Sequence, residues 1–265
     1  MNVEKDMSIT GSAIEILLQG LTSGHLRIVD LTAPLHELTP IIRLPPERGQ
    51  PWPFSRELIS RYDEKGPHVY WNNLKMCEHT GTHFDAPIHW VTGRDLDDVS
   101  QVPVQRLVAP AVVIDLTEEA VDPSFLLERK HVERWIETHG PLPEGGWLLY
   151  RTGWSRHGND PDRFLNEGIT PGVRPECAKW LAEDTSIQGI GVETVGTDAG
   201  QAGCFDPAYP CHWFFHGANK YGLTQLRNLE LLPARGAMVI IAPLPIVGGS
   251  GSPCRVMAIY EETTR

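Results

Sequence analysis

The sequence predicts a mixed α/β domain with an irregular or barrel-like β-core. The chain of 265 residues is long enough to bury a sizeable core, and its 25 glycines and 22 prolines indicate many turns. Short β-branched segments bounded by Gly or Pro outnumber the amphipathic segments. The predicted strands do not alternate regularly with helices, which argues against a doubly wound sheet. No repeat or linker divides the chain, so we expect a single domain over residues 1–265.

Hydrophobic periodicity predicts the individual elements. A first helix is predicted over about 11–22, with its apolar positions within 12–21, and it is a candidate for a dimer contact. The proline-rich stretch 34–53 is expected to be irregular, because proline fixes φ and lacks a backbone donor. Further helices are predicted over 131–138, 175–183 and 210–220. Strands are predicted over 26–32, 111–116, 147–150, 187–195, 237–246 and 255–260.

Charge and composition limit the partners that the chain can bind. The formal net charge of −11 disfavours nucleic acid, because the sequence has no compensating basic stripe. No apolar segment approaches the ~20 residues that a membrane-spanning helix needs. The N-terminus lacks the pattern of a secretory signal, so we expect a cytoplasmic protein that binds no membrane. The five cysteines form no CxxC or CxxxC pair, which predicts reduced thiols rather than disulfides or a structural zinc site.

The densest chemical signal is the segment from His79 to His89, which contains three histidines and one aspartate within eleven positions. Imidazole and carboxylate groups are good ligands for Zn, Mn or Fe. A glycine and a proline interrupt the segment, so we expect it on a loop or at an irregular strand end. His83 and Asp85 would there share one face, because they are two positions apart. A run of polar turn residues is the alternative, and the number of potential ligands disfavours it.

A second group of candidate residues lies in the C-terminal half of the chain. It comprises Asp198, Gln225 and two histidines, His212 and His216, that would share one face of a helix. We expect a functional role for His212, whereas His216 is equally compatible with a buried core residue. The glycine-rich turn around Ser250 superficially resembles a serine nucleophile elbow. It joins two apolar strands, however, and is therefore interpreted as a structural turn.

The segment from His79 to His89 resembles the HxGTHxDxPxH signature of the metal-dependent cyclase-like hydrolases. This family includes bacterial kynurenine formamidase and isatin hydrolase. The resemblance implies a cyclase-like fold of the swivelling β/β/α type, with a β-barrel-like core flanked by helices, and a homodimer. It continues along most of the chain, through Val29–Thr32, Gly196–Asp198, the His212 region, Leu226–Leu229 and Ala242–Leu244.

The resemblance also implies a role for each signature residue. His79, His83, Asp85 and Gln225 would hold one divalent metal ion, for which manganese is favoured and zinc is an alternative. A divalent ion lowers the pKa of bound water from ~15.7 toward ~7, so that hydrolysis proceeds near neutral pH. His89 would be the proton-transfer residue, because imidazole titrates in that range.

The residue at position 225 separates two branches of the family. In the kynurenine formamidase branch, a histidine and a glutamate downstream of it help to form a second metal site. Here Gln225 stands at that glutamate or one position from it, and His212 precedes it by thirteen positions. A neutral amide cannot balance a second cation as a carboxylate does. The chain therefore resembles the isatin hydrolase branch more, with His212 and Asp198 either beside the ion or at a second site.

The resemblance implies a metal-dependent amidohydrolase that acts on the C–N bond of a small cyclic amide, with isatin to isatinate as the favoured reaction. Trp52, Phe54, Trp71 and Trp90 are candidates for stacking on a flat bicyclic substrate. An arylformamidase acting on N-formylkynurenine and a hydrolase of another cyclic imide or lactone are the alternatives. A metal-dependent binding protein without catalysis is disfavoured, because such a protein would not need His89.

Overall fold

The computed structural model describes residues 11–262, and the ends of the predicted domain, 1–10 and 263–265, lie outside the described residues. The helices in the described range are α1 (Ala13–Ser23), α2 (Arg129–His139), α3 (Pro161–Leu165) and α4 (Pro175–Glu183). The strands are β1 (Leu26–Asp30), β2 (Ser55–Asp63), β3 (Gly66–Lys75), β4 (His83–Asp85), β5 (Val108–Asp115), β6 (Leu126–Leu127), β7 (Trp147–Arg151), β8 (Gly172–Val173), β9 (Gly189–Val192), β10 (Tyr221–Thr224), β11 (Arg235–Pro243) and β12 (Gly251–Glu261).

A closed barrel of 7 strands forms the centre of the fold and confirms the predicted barrel-like core. Its strand order is β12-β11-β5-β7-β9-β10-β4, and β4 pairs back onto β12 to close the ring. The strands β5, β7, β9 and β10 run parallel, and the remaining pairings of the ring are antiparallel. Closure leaves none of these strands as an open edge. The strand β1 lies outside the ring and pairs with β12.

The central strands are buried on both faces, which explains why they read as continuous apolar segments. In β5, Ala111 and Val113 belong to the cluster inside the barrel, whereas Val112 and Ile114 belong to the cluster that packs against the helices. This alternation follows from the period of two along a strand. The second cluster also contains Leu181 of α4, so the helices cover one side of the barrel.

Local sequence signals define the ends of the helices. Ser12 and Glu15 form a reciprocal capping box at the start of α1, and Gly24 ends the helix in a left-handed conformation. Pro175 occupies the first turn of α4, where its missing N–H has no cost. The helix predicted over 210–220 is instead centred on a π-helix, His212–His216. The described helices include none that is both long and apolar enough to cross a bilayer.

The strands β2 and β3 form a separate antiparallel hairpin that the periodicity did not predict. Most of the hairpin residues are exposed on both faces, so the apolar alternation expected of a half-buried strand is missing. The preceding stretch 34–53 is irregular, as predicted, apart from one turn of 3₁₀-helix at Pro46–Arg48.

Candidate metal and catalytic site

The signature histidines lie where β4 closes the barrel. His83 pairs with Thr224 of β10 and with Pro253 of β12, and Asp85 pairs with the glycines at 222 and 251 on the same two strands. The side chain between them, Phe84, is fully buried in the barrel core. Because neighbouring side chains of a strand point to opposite faces, His83 and Asp85 both point away from that core. The sequence-based prediction that they share one face agrees with this register.

Asp85 is the centre of the site. Its Oδ1 atom lies 2.8 Å from Nδ1 of His79 and 3.3 Å from Nε2 of His83. Nδ1 of His83 donates to the carbonyl oxygen of Gly81 at 2.7 Å, which leaves Nε2 of the same ring facing the carboxylate. One carboxylate oxygen and two ring nitrogens therefore converge on one small volume. This donor set fits a divalent ion bound by nitrogen and oxygen ligands.

Two glycines make room for this convergence. A Cβ atom at Gly222 would lie 2.8 Å from Oδ2 of Asp85, and a Cβ atom at Gly251 would lie 2.5 Å from Cε1 of His79. Both distances are too short for any side chain without a shift of the site. The close approach of the backbone strands thus explains why these positions carry glycine.

The electrostatic environment keeps Asp85 ionised. Burial raises the pKa of this carboxyl, but His83 and His79 outweigh burial and hold its pKa well below the ordinary value. A buried carboxylate of this kind requires positive or hydrogen-bonding partners.

The ring of His89 stacks on that of His79, with centroids 4.0 Å apart. Burial, followed by the neighbouring His79, holds the pKa of His89 well below its ordinary value, so this imidazole is neutral near pH 7.

The π-helix brings two further histidines to the site. Nδ1 of His212 lies 2.5 Å from Oδ2 of Asp198, and that carboxylate also accepts from the backbone N–H groups of Cys211 and His212. Burial lowers the pKa of His212, but the hydrogen bond and charge of Asp198 outweigh this effect, and the net pKa is raised. The ring centroid of His212 lies 5.4 Å from that of His89.

His216 is fully buried beside His212. Its Nδ1 atom lies 3.1 Å from the carbonyl oxygen of Lys220, and its Nε2 atom has no hydrogen-bond partner among residues 11–262. Burial, followed by the charge of His212, lowers the pKa of His216 to about 4, so the ring is neutral at physiological pH. Both helix histidines therefore belong to the site, including the one that the sequence left open.

Two sets of potential ligands share Asp85. His79, Asp85 and His89 offer ligand atoms within 4.8 Å of one another, and so do Asp85, His212 and His216. The predicted ligand Gln225 stands directly after β10, and its side-chain nitrogen donates to the carbonyl oxygen of Pro40 at 3.1 Å. This bond turns the amide nitrogen toward the irregular segment. Ligation by Gln225 stays a prediction.

The four predicted substrate-binding aromatic residues separate into two groups. Trp90 faces the histidines, with its ring centroid 4.8 Å from that of His212 and 6.2 Å from that of His89. Trp52 and Trp71 are exposed, the latter on β3, and Lys75 lies over the ring of Trp52. Phe54 is buried just before β2. Of these four residues, Trp90 is therefore the one whose ring contacts the histidine cluster.

Two residues that were not predicted as site residues contact each other and the signature. Glu78 and Ser250 are joined by a hydrogen bond, and the Ser250 hydroxyl also lies 2.9 Å from Nε2 of His79. The turn around Ser250 was interpreted as structural, yet it forms one wall of the site. A separation of 171 positions between Ser250 and His79 left no local signal for this contact.

Comparison with known proteins identifies the family. Residues 29–199 match the family model described as "Putative cyclase". The chain belongs to this family. It is 43% identical to isatin hydrolase from Roseibium aggregatum over 256 residues, which are 94% of this chain and 97% of that protein. The match to kynurenine formamidase from Salinibacter ruber is weaker, at 31% identity over 78% of this chain and 89% of that protein.

A solved structure gives the same result for the fold. Isatin hydrolase A from Ralstonia solanacearum superposes with a TM-score of 0.92 at 47% sequence identity. The superposition covers 96% of this chain and 99% of that one. The family resemblance and the fold class predicted from the sequence are therefore confirmed.

Replacing Asp198 by Asn is expected to lower the pKa of His212, because a neutral amide favours the imidazolium form less than a carboxylate does. NMR titration of the metal-free protein measures this pKa. A histidine with a raised folded pKa adds stability below its unfolded pKa of ~6.5, and this contribution is lost as the pH rises through the folded value. The substitution should therefore lower the free energy of unfolding more at acidic pH than at alkaline pH.

The matched control for this experiment is Asp162→Asn, which removes the carboxylate of an exposed ion pair with Arg43. This variant should leave the pKa of His212 unchanged. An unaltered titration of His212 in Asp198→Asn would contradict the assignment of Asp198 as its charged partner.

Proposed function

We propose that the protein is a metal-dependent amidohydrolase that opens the ring of isatin to give isatinate. The observation that carries this proposal is the convergence of His79, His83 and Asp85 at the barrel closure of a chain 43% identical to an isatin hydrolase. That identity extends over 94% of the chain, so the similarity includes every candidate residue from the signature to position 225.

The proposed metal ligands are Nδ1 of His79, Nε2 of His83, Oδ1 of Asp85 and the side chain of Gln225. When bound, a divalent ion makes water acidic enough to supply hydroxide near neutral pH and polarises the carbonyl group of the substrate. The nitrogen and oxygen donors suit Mn²⁺, which we favour, and also Zn²⁺. A single ion is proposed, because the neutral amide of Gln225 adds no charge to balance a second one.

His89 is proposed to transfer the proton. Its imidazole is neutral near pH 7 and stacks on His79, so it lies beside the proposed ligands and is ready to accept a proton. The same ring then donates that proton to the nitrogen atom that leaves as the lactam C–N bond breaks. His212, oriented by Asp198, lies across from His89 and is proposed to hydrogen-bond the substrate or the ring-opened acid rather than to hold an ion.

The proposed substrate is flat and aromatic, which suits the wall formed by Trp90. Aromatic pairs contribute ~0.5–1.5 kcal/mol beyond the burial of their area. The buried indole N–H of Trp90 has no hydrogen-bond partner among the described residues. A carbonyl oxygen of a dioxo-heterocycle would satisfy it. Trp52, Phe54 and Trp71 remain predicted substrate contacts, which the contacts within one chain do not support.

Hydrolysis of N-formylkynurenine is the alternative function. One relative named kynurenine formamidase, from Salinibacter ruber, is 31% identical to this chain over 78% of its length. The amide at position 225, which the family resemblance places at the carboxylate of that branch or one position from it, favours the cyclic substrate over the formamide.

We also propose a homodimer, supported by the exposed apolar surface of the hairpin β2–β3. A two-stranded hairpin is marginally stable by itself in water, and monomeric proteins rarely expose large apolar patches. Leu58 is 56% exposed and Leu74 60% exposed, and both lie on one face of the hairpin. The helix α1, predicted as a dimer contact, adds exposed Ile14 and Leu18.

A cytoplasmic location fits the five cysteines, all of which are free thiols.

The metal-loaded protein is expected to hydrolyse isatin much faster than N-formylkynurenine. Elemental analysis of protein purified without added metal identifies the bound ion. The hydrolysis of each substrate is then followed by absorbance. Chelation should abolish the activity and Mn²⁺ should restore it. Efficient cleavage of the formamide with isatin untouched, or full activity after exhaustive chelation, would contradict the proposal.

His89→Ala is expected to lower kcat by ~10²–10⁴-fold, which is the usual contribution of a positioned general acid–base group. The metal content should be unchanged, because His89 is not among the proposed ligands. The control is His139→Ala, which removes an exposed imidazole at the end of α2 and should alter neither quantity. Wild-type turnover in His89→Ala would refute its role.

A double substitution, Leu58→Glu and Leu74→Glu, is expected to convert the dimer to a monomer, because four like charges would face each other across the interface. Sedimentation velocity measures the change. Val121→Glu introduces the same charge at a loop position that is 79% exposed and should leave the dimer intact. A wild-type chain that sediments as a monomer at micromolar concentration would rule out the dimer.

A further inference from the structure

The glycine-rich turn before β12 packs directly against His79. A Cβ atom at Gly251 would meet both the ring of His79 and the backbone oxygen of Phe84, at 2.5 Å and 2.6 Å. The carbonyl oxygen of Ser250 accepts from the backbone N–H of Ala86 at 3.0 Å. These contacts hold the turn onto the signature segment, so the position of the Ser250 side chain relative to His79 is defined.

The number of protons on each group determines which partner donates in the hydrogen bonds of Ser250. A carboxylate oxygen is an acceptor, and Glu78 Oε2 accepts from the Ser250 hydroxyl at 2.7 Å and from its backbone N–H at 3.1 Å. The hydroxyl has one proton, and this proton is used toward Glu78. Its oxygen must therefore accept from the other neighbour, Nε2 of His79, at 2.9 Å. Nε2 is consequently the protonated nitrogen of that ring.

The tautomer set by Ser250 determines what the other ring nitrogen can do. In the neutral ring, Nδ1 of His79 is an acceptor, and it lies 2.8 Å from Oδ1 of Asp85, which is also an acceptor. Two acceptors at this distance repel each other, and a cation held by both atoms would relieve that repulsion. Nε2 of His83 lies 3.3 Å from the same oxygen, so three potential ligand atoms lie close together. The geometry fits a metal ion that these atoms approach together.

We propose that Glu78 and Ser250 are positioning residues that orient His79 and fix its tautomer, so that Nδ1 rather than Nε2 binds the metal. This role rests on the metal dependence contained in the proposed function. Hydrogen bonds from metal-bound histidines to neighbouring groups orient the ring and raise its basicity. The relay Glu78–Ser250–His79 supplies such a bond with a carboxylate at its far end. A turn that only closes the barrel would not need the hydroxyl.

The proposal is tested by the affinity of the full-length protein for Mn²⁺ and Zn²⁺, measured by titration against a competing chelator. Ser250→Ala should weaken binding by ~10–100-fold, as is typical for the loss of such a partner. Ser250→Thr keeps the hydroxyl and should bind nearly as the wild type. The matched control is Ser252→Ala, which removes a buried hydroxyl two positions along that accepts from the N–H of Leu244. This control should retain wild-type affinity.

A second readout reports the tautomer itself. In the Zn²⁺-loaded protein, ¹⁵N NMR of the histidine side chains should show a proton on Nε2 of His79 and none on Nδ1. Unchanged affinity in Ser250→Ala, an equal loss in Ser252→Ala, or a proton on Nδ1 in the zinc complex would overturn the relay. A wild-type chain that binds neither ion would overturn it as well.

These measurements use no substrate, so they separate the relay from the proposed reaction. A protein that binds metal through the relay but leaves isatin unchanged would refute the proposed substrate and support the relay. A protein that hydrolyses isatin with undiminished metal affinity in Ser250→Ala would support the reaction and refute the relay.

Discussion

The burial of one carboxylate, that of Asp85, is the constraint on which the rest of the site depends. Its side chain is 1% exposed, and an unpaired ionised group at such a position costs several kcal/mol. Nδ1 of His79 and Nε2 of His83 face its Oδ1 atom from one side. Gly222 and Gly251, opposite Asp85 on the two flanking strands, leave space for the carboxylate and the first of these rings. Substitution at any of these positions changes the surroundings of the same charge.

The register of β4 connects this constraint to the barrel. Three residues close the ring, and both neighbouring strands bond to them. A slip by one residue would turn His83 and Asp85 into the apolar interior and expel Phe84 from it. Burial of Phe84 against Tyr221, with ring centroids 5.1 Å apart, therefore helps to hold His83 and Asp85 on the outer face. The packing of Phe84 in the core and the placement of His83 and Asp85 at the site are two consequences of one register.

The sequence predicted those parts of the molecule whose signals are local. The apolar patterns predicted five of the seven barrel strands, β5, β7, β9, β11 and β12, but neither β4 nor β10. Helical periodicity predicted α1, a proline in the first turn indicated α4, and the spacing within the signature predicted the cluster around Asp85. The hairpin β2–β3 was not predicted because most of its residues are exposed on both faces, so its sequence lacks the apolar alternation of a half-buried strand. The role of Ser250 escaped because it depends on a contact across 171 positions. The register that joins such distant residues is a property of the closed barrel and not of either segment.

The hydrogen bonds of their ring nitrogens distinguish the five imidazoles of the site. Four of them have at least one ring nitrogen bonded to the protein, through Ser250, Gly81, Asp198 and the carbonyl oxygen of Lys220. The ring of His89 has no hydrogen bond to another side chain or to the backbone within residues 11–262 and is held by stacking on His79. A tethered imidazole keeps one protonation pattern, as a ligand or an orienting group requires. The proton-transfer role proposed for His89 requires a ring that changes its pattern twice in each turnover, and the surroundings of His89 leave both of its nitrogens free to do so.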